Sequence, residues 1–244
     1  MRLPTVTGRI ERRLLVSYRV DPEIAAALLP DPFRPQLVRG HAVAGICLLR
    51  LGAIRPPGVP AALGLRSENA AHRIAVEWDT PTGPRTGVYI PRRDTGALAN
   101  VLAGGRLFPG VHHRATFTVA ESAEEVRVAF AASDGSASVD AAVRVTPELR
   151  GSGLFTDLAE ASAFYRQGSA GYSATRPGCA PEGVALESTE WRAEATEIQW
   201  ARSSFFADPA LFPPGSAELD SALLMRDIPV TWRALAPLAP ARAA

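Results

Sequence analysis

Short segments in which apolar and polar residues alternate recur along this chain, and turn sequences separate them. In residues 73–78, Ile, Val and Trp alternate with Arg, Ala and Glu, which is the period of two of a β-strand. A Pro/Gly turn at 81–84 leads to a second such segment at 86–90, which predicts a hairpin. The other predicted strands are 12–19, 41–51, 115–119, 126–131, 139–145 and one long or two short strands within 186–202. Strands of this kind bury their apolar faces by closing or stacking a sheet.

Three short helices are predicted between these strands, each from a capping residue followed by apolar residues at helical spacing. The first helix is predicted to start at Asp21 and to end at Pro30. The second runs from Asp94-Thr95 to Gly104-Gly105, and the third from Ser152 to Gly168. Hairpin connections dominate the rest of the chain. The sequence therefore predicts a mainly β (α+β) fold, an antiparallel barrel or sandwich with a few peripheral helices.

The 244 residues show no internal repeat and no linker long enough to divide them, so we expect one domain over 1–244. The Ala/Pro-rich residues 234–244 are predicted to form a loose tail. A chain of this length can bury about 70% of its unfolded surface. Because 47% of its residues are hydrophobic, it can enclose a small-molecule cavity without metals or disulfides.

All 26 basic residues of the chain are arginine, so the sequence contains no lysine. Arginine remains protonated in proteins and has no free lone pair with which to attack a carbonyl carbon. The formal net charge is only +1 and the arginines form no basic stripe, which argues against a nucleic-acid partner. The chain therefore cannot form a Schiff base through a lysine side chain.

The remaining composition argues against several other classes of protein. Cys47 lies in an apolar run and Cys179 in a Pro/Gly loop, so the two cysteines predict neither a disulfide framework nor a metal cluster. No apolar run reaches the ~18 residues of a membrane span, and Met1–Thr5 carries no apolar signal core. There is no phosphate loop and no dinucleotide glycine motif, so no cofactor is implied. We expect a cytoplasmic protein without a membrane partner.

Several segments, taken in their order, resemble the acetoacetate decarboxylase-like superfamily. Val20-Asp21-Pro22-Glu23 with Ala27-Leu28-Leu29-Pro30 is similar to the opening of such proteins. Further segments resemble an uncharacterised bacterial branch of the superfamily. They are Arg66-Ser67-Glu68-Asn69, Gly87-Val88-Tyr89-Ile90, Leu107-Phe108-Pro109, His112-His113-Arg114, Phe164–Gly168, Gly171-Tyr172-Ser173, Arg202–Phe206 and Asp220–Met225. The resemblance covers residues from about Arg12 to Trp232.

This resemblance implies a cone-shaped β-barrel with a central pocket. In acetoacetate decarboxylase, two adjacent lysines follow a proline after a strand, and one of them forms the Schiff base. The corresponding stretch here is Pro91-Arg92-Arg93, so the position is present and the reactive amine is not. A pocket glutamate corresponds to Glu68, a pocket arginine falls near Glu11 and Arg12, and a second pocket glutamate falls on Gly45.

Arg92 and Arg93 are the leading candidates for a binding site. If this stretch is extended, one side chain points into the barrel and the other away from it. An inward guanidinium would bind a carboxylate or an enolate through two parallel hydrogen bonds. The sequence leaves open which arginine faces inward, and whether both are solvated arginines on a loop.

The other candidate side chains are those that could carry a proton or contact a substrate. A carboxylate at Glu68 inside an apolar barrel could act as acid or base, whereas a rim position would pair it with Arg66 or Arg73. His112 and His113 are adjacent on a strand, so they should face opposite ways and share no metal ion. Whichever of the two faces inward would carry a proton, and the alternative is a surface or core histidine. The substrate-contact candidates are His113, Tyr172 and Arg202.

These residues lead to two functional hypotheses. The first is a small-molecule enzyme that acts on an acidic or enolisable carbonyl compound by acid/base chemistry without a Schiff base, as a lyase, cyclase or isomerase. Arg92 or Arg93 would hold the anion and Glu68 would move the proton. The second is a non-catalytic barrel that binds a small metabolite in the same pocket. Related barrels form oligomers, so a homo-oligomer is compatible with either hypothesis.

Overall fold

The computed structural model describes residues 5–104, 109–174, 180–236 and 238 of the chain. The strands are β1 (Val6–Val20), β2 (Arg34–Pro35), β3 (Leu37–Val38), β4 (His41–Arg55), β5 (Leu65–Thr80), β6 (Gly83–Thr95), β7 (His112–Glu121), β8 (Glu125–Ala132), β9 (Ser138–Thr146), β10 (Ala170–Ser173), β11 (Glu182–Glu187), β12 (Glu194–Ser203) and β13 (Ala217–Ala234). The helices are α1 (Pro22–Ala27), α2 (Leu98–Ala103) and α3 (Leu158–Gln167), with a single 3-10 turn at Ala61–Leu63.

The long strands form a sheet that closes on itself. Neighbours follow the order β1, β4, β5, β6, β7, β8, β9, β12, β13 and back to β1, and β10 and β11 bridge β6 to β13 outside this ring. Most pairings are antiparallel, whereas β6–β7 and β10–β6 are parallel. Closure removes the exposed edges that an open sheet of this size would present. The predicted mainly β barrel with peripheral helices is confirmed.

Alternating side chains divide the sheet into two apolar faces. On one face, which we call the inner face, buried residues of all the ring strands except β12 meet in one cluster. Leu14, Leu48 and Val128 belong to it. The outer face is covered by α3 across β13, β1, β4, β5 and β6, and its cluster includes Leu15, Cys47 and several residues of α3. Cys47 is buried there, as expected of core packing, and Cys179 lies outside the described residues.

The helices occur where they were predicted, but two of their caps differ. Asp21 caps α1 by accepting a hydrogen bond from the Glu23 amide, as expected. Asp94 does not cap α2, because it belongs to β6 and its carboxylate binds Arg92. Ser152 does not cap α3 directly, since its hydroxyl accepts from Leu154 and Phe155 in the loop before the helix. The α3 cap is Asp157, which accepts from the Glu160 amide.

The C-terminal part of the chain supplies the last strands of the sheet. The segment 186–202 contributes to two strands, β11 and β12, which was one of the two alternatives. Of the predicted loose tail, Ala234 still belongs to β13 and the Leu235 amide donates to the Gly183 carbonyl. Residues 237 and 239–244 lie outside the described residues. None of the helices within the described part of the chain has the length and apolar character needed to span a membrane.

Candidate functional site: a cleft at one end of the barrel

An open cleft of about 560 Å³ lies where the middle of β6 and the start of β7 meet two loops. One loop is the turn between β8 and β9, and the other follows β12. The lining residues are Pro91, Arg92, His113, Ser136, Ala137, Ser204, Phe205, Asp208 and Leu211. A cleft of this volume is the size of typical small-molecule sites. It brings together two predicted site residues, Arg92 and His113.

Arg92 is held in a fixed orientation on the cleft wall. Its Nε and Nη2 atoms donate to the two carboxylate oxygens of Asp94, at 2.9 and 2.8 Å, in a bidentate pair. The Asp94 side chain is completely buried, so it cannot exchange this partner for water. Nη2 also donates to the Ser136 hydroxyl at 2.9 Å, which links Arg92 to the β8–β9 turn. The remaining nitrogen, Nη1, donates to none of the described residues and is therefore available for a ligand.

His113 is oriented by a carboxylate on the same turn. Its Nδ1 lies 3.5 Å from an oxygen of Asp134, and both side chains are partly exposed. Asp134 also accepts from the hydroxyl and the backbone N–H of Ser136, which lower its pKa to about 2, with smaller contributions from His113 and Arg92. Arg92, Ser136, Asp134 and His113 thus form one polar chain along the cleft. Asp134 remains ionised near neutral pH and can fix the ring of His113.

A second histidine lies behind the cleft, where the sequence did not place a site residue. His72 is fully buried on β5, next to Arg92 across the strand pair. Its ring packs 4.6 Å from the ring of Phe205, a cleft residue, and its Nε2 lies 3.3 Å from the Ser203 hydroxyl. Burial, with a smaller contribution from the Arg92 charge, lowers the pKa of His72 to about 3. His72 is therefore neutral near pH 7, and its ring packs behind Phe205 in the wall of the cleft.

Glu68 belongs to a separate charge network on the inner face. Its two carboxylate oxygens accept from Arg12 and Arg50, each at 2.6 Å. Both arginines also bind Glu121 at the end of β7. Two carboxylates and two guanidinium groups therefore neutralise each other. A rim position would have paired Glu68 with Arg66 or Arg73, and neither of them is its partner. Glu68 also does not line the cleft with Arg92.

Arg93 faces away from the cleft, which confirms that the two adjacent arginines point to opposite sides. It pairs with Ala71 of the outer cluster, and its Nε donates to the Ser173 hydroxyl at 3.1 Å. Burial lowers the pKa of Arg93 to about 10. His112, its neighbour on β7, is partly buried on the same side, and burial followed by the Arg93 charge lowers the pKa of His112 to about 4. The opposite orientation of His112 and His113 is confirmed as well.

Two further predicted contact residues lie away from the cleft. Tyr172 is buried on the inner face between Phe33 and Trp78, with ring centroids 5.3 and 5.2 Å away, and burial raises its pKa. Arg202 is exposed on β12 opposite Asp140, on the outer surface of the barrel. The structure therefore gives Arg202 no contact with the cleft. Its neighbours Ser203 and Ser204 provide the contacts to His72 and to the cleft instead.

Sequence reasoning missed Asp94, Asp134 and His72. Asp94 follows Arg92 by two residues on a strand, so the period of two could have indicated a same-face pair. Asp134 was interpreted only as part of a turn. The position of the family's second pocket glutamate, Gly45, accommodates no side chain, because an added Cβ would lie 2.2 Å from the Val16 carbonyl oxygen. That contact depends on the pairing of β4 with β1, which no local pattern reveals.

Comparison with known proteins agrees with this architecture. Residues 7–217 match the family DUF2071, described as an uncharacterized conserved protein. The chain belongs to this family. No curated protein matches it at a significant level.

This DUF2071 member shares its fold with acetoacetate decarboxylases and related enzymes of known structure. Acetoacetate decarboxylase from Legionella pneumophila superposes with a TM-score of 0.64 at 10% identity, covering 96% of this chain and 88% of that chain. An acetoacetate decarboxylase-like enzyme from Sphingomonas wittichii RW1 gives 0.62 at 18% identity, covering 98% and 94%. The enduracididine biosynthesis enzyme MppR, complexed with pyruvate, gives 0.61 at 14% identity, covering 97% and 91%. The expected acetoacetate decarboxylase-like fold is confirmed.

Proposed function

We propose that this DUF2071 protein is a small-molecule enzyme that binds an acidic or enolisable carbonyl compound in the cleft and transforms it without a Schiff base. The observation that carries the proposal is the position of Arg92 and His113 on the walls of one cleft, each oriented by a carboxylate. The Arg92 guanidinium would hold a carboxylate or an enolate oxygen. His113 would move a proton at the bound molecule.

The electrostatics of the cleft suit this division of roles. Asp94 keeps Arg92 from swinging into solvent, and a guanidinium already in place stabilises negative charge without reorganising when the enolate forms. The Asp134 carboxylate lies 3.5 Å from Nδ1 of His113 and holds the ring in the cleft. The reaction class that fits is proton transfer next to a carbonyl group, as in a lyase, cyclase or isomerase. No lysine is available for an imine.

Glu68 has a different role in this proposal from the one that its sequence position suggested. Both of its oxygens accept hydrogen bonds from arginines, and Glu68 does not line the cleft. Proton transfer in the cleft is therefore assigned to His113, and Glu68 is assigned to the charge network with Arg12. Glu68→Gln should weaken that network and leave ligand binding in the cleft unchanged.

Binding can be tested by calorimetric titration with small keto acids, starting with pyruvate, the molecule held by MppR. We expect Arg92→Ala to weaken binding at least tenfold, because the charge-assisted hydrogen bond from the free Nη1 atom is lost. Arg127→Ala is the matched control, since Arg127 makes the same bidentate contact with Asp140 on the outer surface. Equal affinity in the wild type and Arg92→Ala would refute an anion site at Arg92.

Catalysis is tested separately, with the ligands that bind. Deuterium exchange at the carbon next to the carbonyl group, followed by NMR in D2O, reports proton transfer directly. His113→Ala should retain binding and lose exchange by about 100-fold, the usual contribution of a general acid or base. Binding without any exchange or turnover in the wild type would instead identify a non-catalytic barrel that binds a small metabolite.

A further inference from the structure

Arg73 is an arginine without a charged or hydrogen-bonding partner in the described residues. It lies on the outer face of β5 with only 6% of its surface exposed. Its guanidinium packs over the ring of Tyr165 in α3, 4.9 Å from the ring centroid. Among the described residues it makes no hydrogen bond and no ion pair. A buried cation with only an aromatic ring for a partner is unfavourable unless an anion accompanies it.

The charge of a second buried arginine acts on Arg73, and Asp220, the buried carboxylate that acts on Tyr165, is already paired with Arg19. Arg13, on the next strand but one, is also buried and donates its Nε to the sulfur of Cys47 at 3.3 Å. Arg93 contributes an Nη2 atom that is buried and has no partner among the described residues. None of these three arginines forms an ion pair with a described carboxylate. Burial lowers the pKa of Arg73, and the nearby charge of Arg13 lowers it further, although the Cys47 sulfur partly opposes this.

Arg73 opens onto a small hole between the sheet and α3. The other lining residues that bear on its chemistry are Gln36, Val88, Phe164, Tyr165 and Gly168. Its volume of about 10 Å³ is enough for one water-sized particle. The Gln36 side chain carries two N–H donors, whereas the Tyr165 hydroxyl is already bonded to Ser17. The hole therefore offers a cation and an amide donor, and its other walls are largely apolar.

We propose that this hole binds a single monatomic anion, chloride, between the guanidinium of Arg73 and the carboxamide of Gln36. The uncompensated charge of Arg73 selects an anion, and a space of about 10 Å³ favours one small ion over sulfate, phosphate or an organic acid. The ring of Tyr165 covers one face of the guanidinium and leaves the N–H groups in its plane free for an ion. The site lies on the outer face under α3, so it is independent of the cleft at Arg92.

Bromide provides a direct test, because it replaces chloride and scatters anomalously. Crystals of the full-length protein are soaked in sodium bromide and measured at the bromine absorption edge. We expect an anomalous peak about 3.3 Å from the Arg73 guanidinium, the distance of a bromide–guanidinium contact, which is longer than the usual N–H···O distance. Peaks only at exposed arginines such as Arg127, with none at Arg73, would mean adventitious ions only and would overturn the proposal.

Stability in solution provides the second test. Urea unfolding is compared in sodium chloride and in sodium gluconate at equal ionic strength, since gluconate is too large for the hole. Chloride at 100 times its dissociation constant should lower the unfolding equilibrium constant of the wild type about 100-fold. Arg73→Met should lose this chloride dependence, whereas Arg127→Met should keep it.

The variant at Arg73 also has a distinctive expected behaviour in gluconate. Because it removes an unpaired buried charge, Arg73→Met should be at least as stable there as the wild type. Gln36→Leu keeps the charge and removes one donor, so it should weaken the chloride effect several-fold and serves if Arg73→Met does not fold. A chloride dependence that is the same in the wild type, Arg73→Met and Gln36→Leu would exclude this site.

Discussion

Two pairs of adjacent arginines show how differently the two faces of the barrel treat the same side chain. In Arg12-Arg13 of β1 and in Arg92-Arg93 of β6, the first arginine faces inward and the second outward. Each inward arginine is held by carboxylates, Arg12 by Glu68 and Glu121 and Arg92 by Asp94. Within the described part of the chain, each outward arginine donates a hydrogen bond only to a neutral group, the Cys47 thiol or the Ser173 hydroxyl.

The comparison separates two uses of a buried positive charge. A guanidinium fixed by a carboxylate is electrically balanced and rigid, so it can present its free nitrogen to a ligand in one geometry. A guanidinium without a carboxylate keeps its full charge in a medium of low dielectric constant, and that charge must be met by an ion from solution or by polarisable groups. The inner face therefore suits a positioned substrate, and the outer face suits a small anion.

The largest effect is expected from removing the carboxylate of the Arg92 pair. Asp94→Ala leaves a charged guanidinium beside a fully buried position, and breaking a buried ion pair costs about 3–5 kcal/mol. We expect the free energy of unfolding in urea to fall by that amount. The control is Asp140→Ala, which removes the carboxylate from the exposed Arg127 pair and should shift the urea midpoint little. Similar losses in both variants would show that burial does not distinguish the two pairs.

The Arg12-Arg13 pair tests the same difference on one strand. Arg12→Met leaves Glu68 and Glu121 facing each other with Arg50 alone between them, so the free energy of unfolding should fall by about 3 kcal/mol. Arg13→Met loses a weak bond to sulfur and a contact over the Trp191 ring, 5.8 Å from its centroid. That loss should be about 1 kcal/mol. Urea unfolding at constant chloride measures both, and equal losses would contradict the comparison.

Stability below neutral pH depends on His72. Its pKa is about 3 in the folded protein and about 6.5 in an unfolded chain, so below pH 6.5 only the unfolded state takes up the proton. Stability should therefore fall as the pH falls from 6.5 toward 3, by about 2–3 kcal/mol between pH 6 and pH 4 from this residue. His72→Leu should remove that part of the slope in urea unfolding, while the control His41→Leu at the start of β4 should not. His112 contributes a similar slope that remains in both variants.

The smallest effect is expected at the exposed end of the comparison. Arg127 pairs bidentately with Asp140, as Arg92 does with Asp94, but its side chain is half exposed. Water and salt screen such a pair, so Arg127→Ala should leave the thermal midpoint unchanged within the error of calorimetry. A clear drop would mean that the geometry of the pair, and not its burial, sets its contribution.

The strands and their faces follow from local pattern. The alternation at 73–78 and the turn at 81–84 predicted the β5–β6 hairpin, and adjacent polar residues such as His112 and His113 were correctly expected to face apart. Helix caps were harder, because Asp94 and Ser152 have capping chemistry but bind Arg92 and Asp220 instead. A residue with capping chemistry binds a charged side chain that the fold brings close to it in preference to the end of the helix.

The candidate site was only partly accessible to the same reasoning. Arg92 and His113 could be named from the sequence because they lie on strands that the resemblance aligns with a pocket. Arg202 was placed in the pocket, whereas it lies on the outer surface, since a strand end gives no sign of which face its next residue joins. Glu68 was interpreted either as a pocket acid or base or as a rim residue paired with Arg66 or Arg73. Its two arginines come instead from β1 and β4, 56 and 18 residues away.

The sequence by itself determined what chemistry this protein cannot use and which residues share a strand face. The absence of lysine is a property of composition, and the period of two is a property of the extended backbone, so neither depends on how the chain closes. Only the tertiary structure decided which charges meet. Closure of the sheet brings Glu121 of β7 to Arg12 of β1. The packing of α3 over β5 leaves Arg73 with no ion pair to a carboxylate among the described residues. Such partners are set by pairing between distant strands, which local sequence does not encode.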